Sequence, residues 1–101
     1  MQDIDQEKFI ELSETGKYVI LDVRKPEECA SGIVPRAREI NFLNQSLFTS
    51  EIAKLDKDQN YLIYCRSGNR SGKACAMMVD LGFSSTYNLI GGMLAWTGPI
   101  E

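Results

Sequence analysis

The stretch Tyr61–Met78, YLIYCRSGNRSGKACAMM, decides the fold. Four apolar residues, Tyr61 to Tyr64, run into a cysteine, then into a short polar turn with a glycine and two arginines, and then into a helix-forming segment. YLIY reads as a strand covered on both faces. Ser71 to Leu81 reads as a helix, with Gly82 as its stop. Working outward, the same alternation repeats. Gln2 to Ile4 makes a short strand, and Asp5 caps a helix that puts Phe9, Ile10 and Leu12 on one side before Gly16 ends it. Tyr18 to Val23, YVILDV, is a second buried strand. Pro26 opens a short helix that Gly32 closes. REINF, Arg38 to Phe42, gives a brief strand, and Asn44 to Leu55 carries Leu47, Phe48, Ile52 and Leu55 at helical spacing. Thr86 to Leu89 is the last strand and Met93 to Trp96 a closing helical turn. Strands and helices in strict alternation predict an α/β fold: one domain over residues 1–101, with a mostly parallel five-stranded sheet between helices on both faces. Ligands of such sheets bind beyond the carboxyl ends of the strands, where Cys65 lies.

Composition removes several functions. The chain has 101 residues, 44% of them hydrophobic and 25% charged, with a formal net charge of -3. That is enough to bury a core, and it lacks the basic excess of a nucleic-acid binder. No eighteen apolar residues run together, and the N-terminus has neither a basic start nor an apolar core, so the protein reads as cytoplasmic, with no membrane or nucleic-acid partner. Cys29, Cys65 and Cys75 are odd in number and form no CxxC pair, so neither a disulfide framework nor a metal site is expected. With no histidine present, Cys-His and Ser-His-Asp catalysis are excluded.

The loop from Cys65 to Arg70 has a chemistry of its own. A tight turn from strand to helix aims successive backbone N–H groups into one concavity, and that concavity attracts anions. Gly68 allows backbone conformations closed to other residues, Asn69 tolerates left-handed geometry, and the following helix adds about half a positive charge. Cysteines in such places ionise at a pKa of about 3.5–7.5 rather than about 8.5, so Cys65 is expected to be a thiolate at neutral pH without a base.

The loop YCRSGNRS resembles the active-site loop of rhodanese-type sulfurtransferases, whose fold is a three-layer α/β arrangement. LDVRKPEECASGIVPRA, Leu21 to Ala37, is similar to that family's first motif, an Asp-Val-Arg run followed by an acidic helix and a Gly-His-Ile-Pro-Gly-Ala turn. LIGGMLAW, Leu89 to Trp96, resembles its closing Gly-Gly-x-x-x-Trp motif. Three positions depart from the pattern: Cys29 stands for an aromatic, Ile33 for the histidine that braces the turn, and Arg36 for the glycine after proline. Arg36 predicts a local change of backbone.

The resemblance implies sulfur transfer through a persulfide on Cys65, without a separate cofactor. The donor would be a small sulfur anion such as thiosulfate, and the acceptor cyanide, a thiol or a protein, at an exposed site. Backbone N–H groups from Arg66 to Ser71 would cradle the persulfide. Arg66 and Arg70 would attract the donor's sulfonate, Arg70 above all, and the Ser67 and Ser71 hydroxyls would add hydrogen bonds. Asp22 and Arg24 would brace the loop or line its entrance. Gly91 and Gly92 read as a tight turn close to the loop, Cys29 and Cys75 as small core residues, and Trp96 as a packing residue with its N–H satisfied nearby. The alternatives are a non-catalytic or protein-to-protein relay module and, within the same fold, a phosphatase or arsenate reductase. Phosphatases of this fold place five residues between cysteine and arginine. Here there are four, Arg66 to Asn69, and no general acid follows.

Overall fold

The computed structural model describes residues 1–101. Ten elements alternate along the chain: β1 (Gln2–Ile4), α1 (Gln6–Ser13), β2 (Tyr18–Asp22), α2 (Pro26–Cys29), β3 (Arg38–Glu39), α3 (Gln45–Ile52), β4 (Asn60–Tyr64), α4 (Asn69–Asp80), β5 (Ser85–Leu89) and α5 (Gly92–Ala95). The strands form one sheet in the order β1-β5-β4-β2-β3, and every pairing is parallel. β4 therefore lies at the centre, and its carboxyl end delivers Cys65.

Period-2 alternation along the strands divides the core into two layers. On β4, Tyr61, Ile63 and Cys65 point to one face, and there they join Leu21 and Val23 of the β2 region, Phe48 and Ile52 of α3, and Ala74, Cys75 and Met78 of α4. Leu62 and Tyr64 point to the other face, with Ile20, Leu89 and Phe9 of α1, and with Met93 and Trp96 packed against them. Helices thus cover both faces, and each fully buried Leu, Ile or Phe contributes roughly 1.5–3 kcal/mol. Trp96 stacks edge-on to Phe9 at 5.7 Å between ring centroids, and its Nε1–H donates to the Pro99 carbonyl at 2.9 Å. No helix is long and apolar enough to cross a membrane.

The helix ends follow local chemistry. The Asp5 carboxylate accepts from the Lys8 N–H at 2.9 Å, and the Asn44 side chain accepts from the Leu47 N–H at 3.2 Å, which satisfies an orphan donor at the head of α1 and of α3. Several boundaries differ from the sequence expectation, among them the end of α3, at Ile52 and not the expected Leu55. α4 begins at Asn69, not Ser71, because the Gly68 carbonyl already accepts the Gly72 N–H at 3.0 Å. α2 stops at Cys29, short of Gly32. β3 keeps only two of its five expected residues, although Ile40 and Phe42 still donate to the Asp22 and Val23 carbonyls at 2.9 and 3.1 Å. α5 starts at Gly92 and leaves Trp96 in extended geometry.

Candidate active site

Cys65 follows directly on β4 and Asn69 opens α4, so the turn between them has three residues. It closes because Gly68 takes φ +101, and a Cβ there would also lie 3.3 Å from the Leu89 carbonyl oxygen. The turn folds back over the sulfur. The Gly68 N–H donates to Cys65 Sγ at 3.1 Å, and the buried Ser71 hydroxyl lies 3.3 Å from it. A second wall comes from the Gly91–Gly92 turn. There the Met93 N–H donates to the Cys65 carbonyl at 3.0 Å and the Leu94 N–H to that of Arg66 at 2.9 Å. Arg66, Ser67 and Asn69 face solvent around the rim. Cys65 itself is 0% exposed, so the sulfur sits beneath the loop and not in an open site. The surface cavities lie elsewhere; one of about 180 Å³ runs between α1, Val34–Arg36 and Trp96 and touches no residue of the loop.

Burial opposes ionisation of Cys65. The hydrogen bonds that the Ser71 hydroxyl and the backbone N–H groups of Ser71, Ser67 and Gly68 offer the thiolate outweigh it and hold Cys65 below its ordinary value. The other two thiols behave oppositely: burial pushes Cys29 and Cys75 up to about 12. One of three cysteines is set apart by its surroundings.

Arg70, expected to attract the donor's sulfonate, is not a free cation. Its guanidinium makes a bidentate pair with Glu28 of α2, Nη1 to Oε1 at 2.7 Å and Nη2 to Oε2 at 2.9 Å. Both side chains are about one-fifth exposed, and the hydrogen bond from Arg70 leads in lowering the Glu28 carboxyl to about 2. Glu28 also accepts from the Lys25 N–H at 3.1 Å, so one carboxylate ties the start of α2 to the end of the cysteine loop. Arg66 is left as the loop's exposed cation.

Asp22 and Arg24 do not line an entrance either. Both are buried: Arg24 Nη2 meets Asp22 Oδ2 at 2.7 Å, its Nε meets both carboxylate oxygens at 3.0 and 3.1 Å, and its backbone N–H donates to Oδ1 at 3.0 Å. The guanidinium donates further to the carbonyls of Glu28 at 3.3 Å and Gly32 at 2.7 Å, which pins α2 from below. The Tyr64 hydroxyl donates to Asp22 at 2.5 Å and accepts from the Val34 N–H at 3.0 Å. Asp22 and Arg24 therefore reach the loop through α2 and Glu28.

The two unusual turn residues have structural answers. In place of a bracing histidine, Ile33 exchanges backbone hydrogen bonds with Glu101 at 3.0 and 2.8 Å. Arg36 takes φ +69, alone among non-glycine residues, and so adopts a left-handed conformation open to glycine. Its N–H donates to the Glu101 carboxylate at 3.1 Å and its guanidinium to the Ser13 carbonyl at 3.3 Å.

Sequence reasoning missed Glu28, Tyr64 and Asn88 as parts of this site. Asn88 Oδ1 lies 2.5 Å from Ser71 Oγ, and its amide nitrogen donates to Asp3 at 2.9 Å and to the Gly68 carbonyl at 3.2 Å. Their residue types were visible in the sequence, a carboxylate in the first turn of a short helix and a tyrosine and an asparagine within strands, but their distant partners were not.

A parallel sheet, helices on both faces and a buried cysteine in a strand-to-helix turn define the class, and residues 5–99 match the model of the Rhodanese-like domain family. The chain belongs to that family. A sulfurtransferase from Allochromatium vinosum is 36% identical over 97 residues, covering 95% of this chain and 88% of that one. The thiosulfate sulfurtransferase GlpE of Pseudomonas putida is 35% identical over 100 residues, covering 97% and 88%. A crystal structure of a rhodanese-like domain protein from Staphylococcus aureus superposes with a TM-score of 0.86 at 30% identity, covering 100% of this chain and 97% of that one.

Proposed function

We propose that this protein is an enzyme that moves sulfane sulfur from a small anionic donor such as thiosulfate to a thiophilic acceptor, through a persulfide on Cys65. The Cys65 thiolate attacks the outer sulfur of thiosulfate; the bond to the sulfonate sulfur breaks and sulfite leaves with the electron pair. Cyanide, a thiol or a protein thiolate then attacks the outer sulfur of the persulfide, and the Cys65 thiolate is restored. Cyanide leaves as thiocyanate. No metal or organic cofactor takes part.

The observation that carries this reading is the sulfur's own surroundings: a thiol held below its ordinary value, with the Gly68 N–H donating at 3.1 Å and the Ser71 hydroxyl oxygen 3.3 Å away, in a strand-to-helix turn. The backbone N–H groups that stabilise the thiolate serve the anionic persulfide in the same way. Arg66 at the rim draws the donor in, with the Ser67 hydroxyl beside it. Three unpaired thiols fit a reducing, cytoplasmic setting. Against a phosphatase stands Arg70, whose fork is occupied by Glu28 and does not cap the loop.

The test is the intact mass of the protein before and after incubation with thiosulfate, followed by peptide mapping and addition of cyanide. One added sulfur on Cys65, discharged as thiocyanate, is the expected result. A folded protein that gains no sulfur from thiosulfate or from a persulfide donor would overturn the reading and favour a binding module.

A further inference from the structure

A chain of polar contacts runs from the edge strand to the sulfur. β1 and β5 pair in parallel with Asp3 directly opposite Asn88, so the two side chains share one face of the sheet. The Asn88 amide nitrogen is bonded on both sides by groups that only accept, the Asp3 carboxylate at 2.9 Å and the Gly68 carbonyl at 3.2 Å. Turning the carboxamide over would set its oxygen against two other oxygens. Asn88 Oδ1 is therefore fixed toward Ser71, 2.5 Å from the hydroxyl oxygen, while Cys65 Sγ lies 3.3 Å from the same oxygen. Ser71 has one hydroxyl proton, and it cannot serve both neighbours at once.

We propose that Asp3 and Asn88 are positioning residues for Cys65: by locking the carboxamide they draw the Ser71 hydroxyl proton away from the sulfur and leave the hydroxyl's lone pairs facing the thiol. The proposal rests on Cys65 as the sulfur carrier. In this arrangement the thiol donates to Ser71 and Ser71 donates to Asn88. Ionisation requires the Ser71 hydroxyl to leave Asn88 and turn to the sulfur, so the lock holds back part of the stabilisation that the loop offers the thiolate. The consequence is kinetic. Nucleophilicity falls as a thiol becomes more acidic, and attack is fastest when its pKa lies near the ambient pH. A loop of N–H donors unopposed would overshoot, and the Asp3–Asn88–Ser71 chain moderates it.

Other groups act on the same sulfur. Arg66 and Arg70 flank it in the loop, Arg70 being held by Glu28 of α2, and the buried thiol of Cys75 approaches from α4. On the β2 side Arg24 is neutralised by Asp22. A plain charge effect of Asp3 therefore has to be separated from an effect passed through Ser71.

The experiment is the pH midpoint of iodoacetamide alkylation of Cys65 in four proteins: wild type, Asp3→Asn, Ser71→Ala and the double variant. In Asp3→Asn the carboxylate that holds the Asn88 amide nitrogen loses its charge, the lock is left to the Gly68 carbonyl, and the Ser71 proton is shared more with the sulfur. The midpoint is expected to fall by about one pH unit, the size of a charge-assisted hydrogen bond less the competitor it displaces. In the Ser71→Ala background the same change is expected to shift the midpoint little. Equal shifts in both backgrounds, or no shift in either, would overturn the proposal. Should Ser71→Ala not fold, the infrared S–H band that disappears between acidic and neutral pH belongs to Cys65, since Cys29 and Cys75 stay protonated there. A hydrogen-bonded band in wild type that moves to the free position in Asp3→Asn supports the lock; an unmoved band refutes it. Alkylation reads the thiol whether or not sulfur is transferred, so failure of the persulfide assay and failure of this proposal are separate results.

Discussion

Gly92→Ala probes how tightly the second wall of the site is held. Gly92 takes φ +53, and a Cβ built there would lie 2.5 Å from the Cys65 carbonyl oxygen and 2.6 Å from both carbonyl atoms of Arg66. Ordinary Cβ contacts begin at 3.4 Å, so the two backbones must part by about 0.9 Å, the difference between 3.4 and 2.5 Å. No flexible side chain lies between them to take up the strain. Left-handed geometry costs an alanine roughly 1–2 kcal/mol, and overpacking adds typically 1–3 kcal/mol. The sum, about 2–5 kcal/mol, is a large part of the roughly 5–15 kcal/mol that holds a domain together. Parting the backbones also opens the hydrogen bonds from Met93 to Cys65 and from Leu94 to Arg66. A displacement near 1 Å at a reacting group costs about 100-fold in rate. Urea unfolding followed by Trp96 fluorescence should show the loss of stability, and the rate of sulfur gain from thiosulfate should fall about 100-fold. Gly16→Ala is the control: φ is +73 with nothing within 4 Å of a Cβ, so it carries only the backbone cost and leaves loading unchanged. Stability within about 0.5 kcal/mol of wild type, together with normal loading in Gly92→Ala, would refute the reasoning.

Cys65→Ser should abolish sulfur loading while circular dichroism stays native, whereas Cys75→Ser should load normally; mass spectrometry distinguishes them. Breaking the buried Asp22–Arg24 pair by Arg24→Met should cost about 3–5 kcal/mol in urea unfolding, because the Asp22 charge is left uncompensated. Glu28 has a carboxyl lowered to about 2 against about 4.3 in an unfolded chain, so its pair with Arg70 stabilises the fold above about pH 4.3 and is lost as pH falls toward 2. The urea midpoint of Glu28→Gln should accordingly vary less than that of wild type across this interval. The same substitution, by returning net positive charge to Arg70, should lower KM for thiosulfate several-fold at low salt, and added salt should erase the gain.

The order of elements and the place of the cysteine turn were legible because each rests on local chemistry. YVILDV and YLIY are β-branched and aromatic runs without alternation, as fully covered strands must be, and Asp5, Pro26, Gly16 and Gly82 mark ends by mechanisms that act over a few residues. What escaped was set by pairings far apart in the chain. Glu28 and Arg70 are 42 residues apart, and nothing in PEEC says which of two carboxylates turns toward the loop. Asn88 and Asp3 meet only because the first strand pairs with the last, a register that neither strand's composition specifies. Arg36 read as a misfit for a glycine position. Its left-handed φ is held by contacts to Ser13 and Glu101, which no short window of sequence contains.

That closing of the sheet by β5 has a consequence during synthesis. β1 precedes the other four strands but its only partner strand is β5, so Gln2 to Ile4 has nothing to pair with until Ser85 to Leu89 has been made. Strand pairing at such sequence distance is slow to nucleate, because the loop must close before any contact rewards it. The Gly91–Gly92 wall against Cys65 and the Asn88 contact to Ser71 arrive at the same late moment. The back wall of the cysteine loop therefore depends on the same distant pairing that gives β1 its partner.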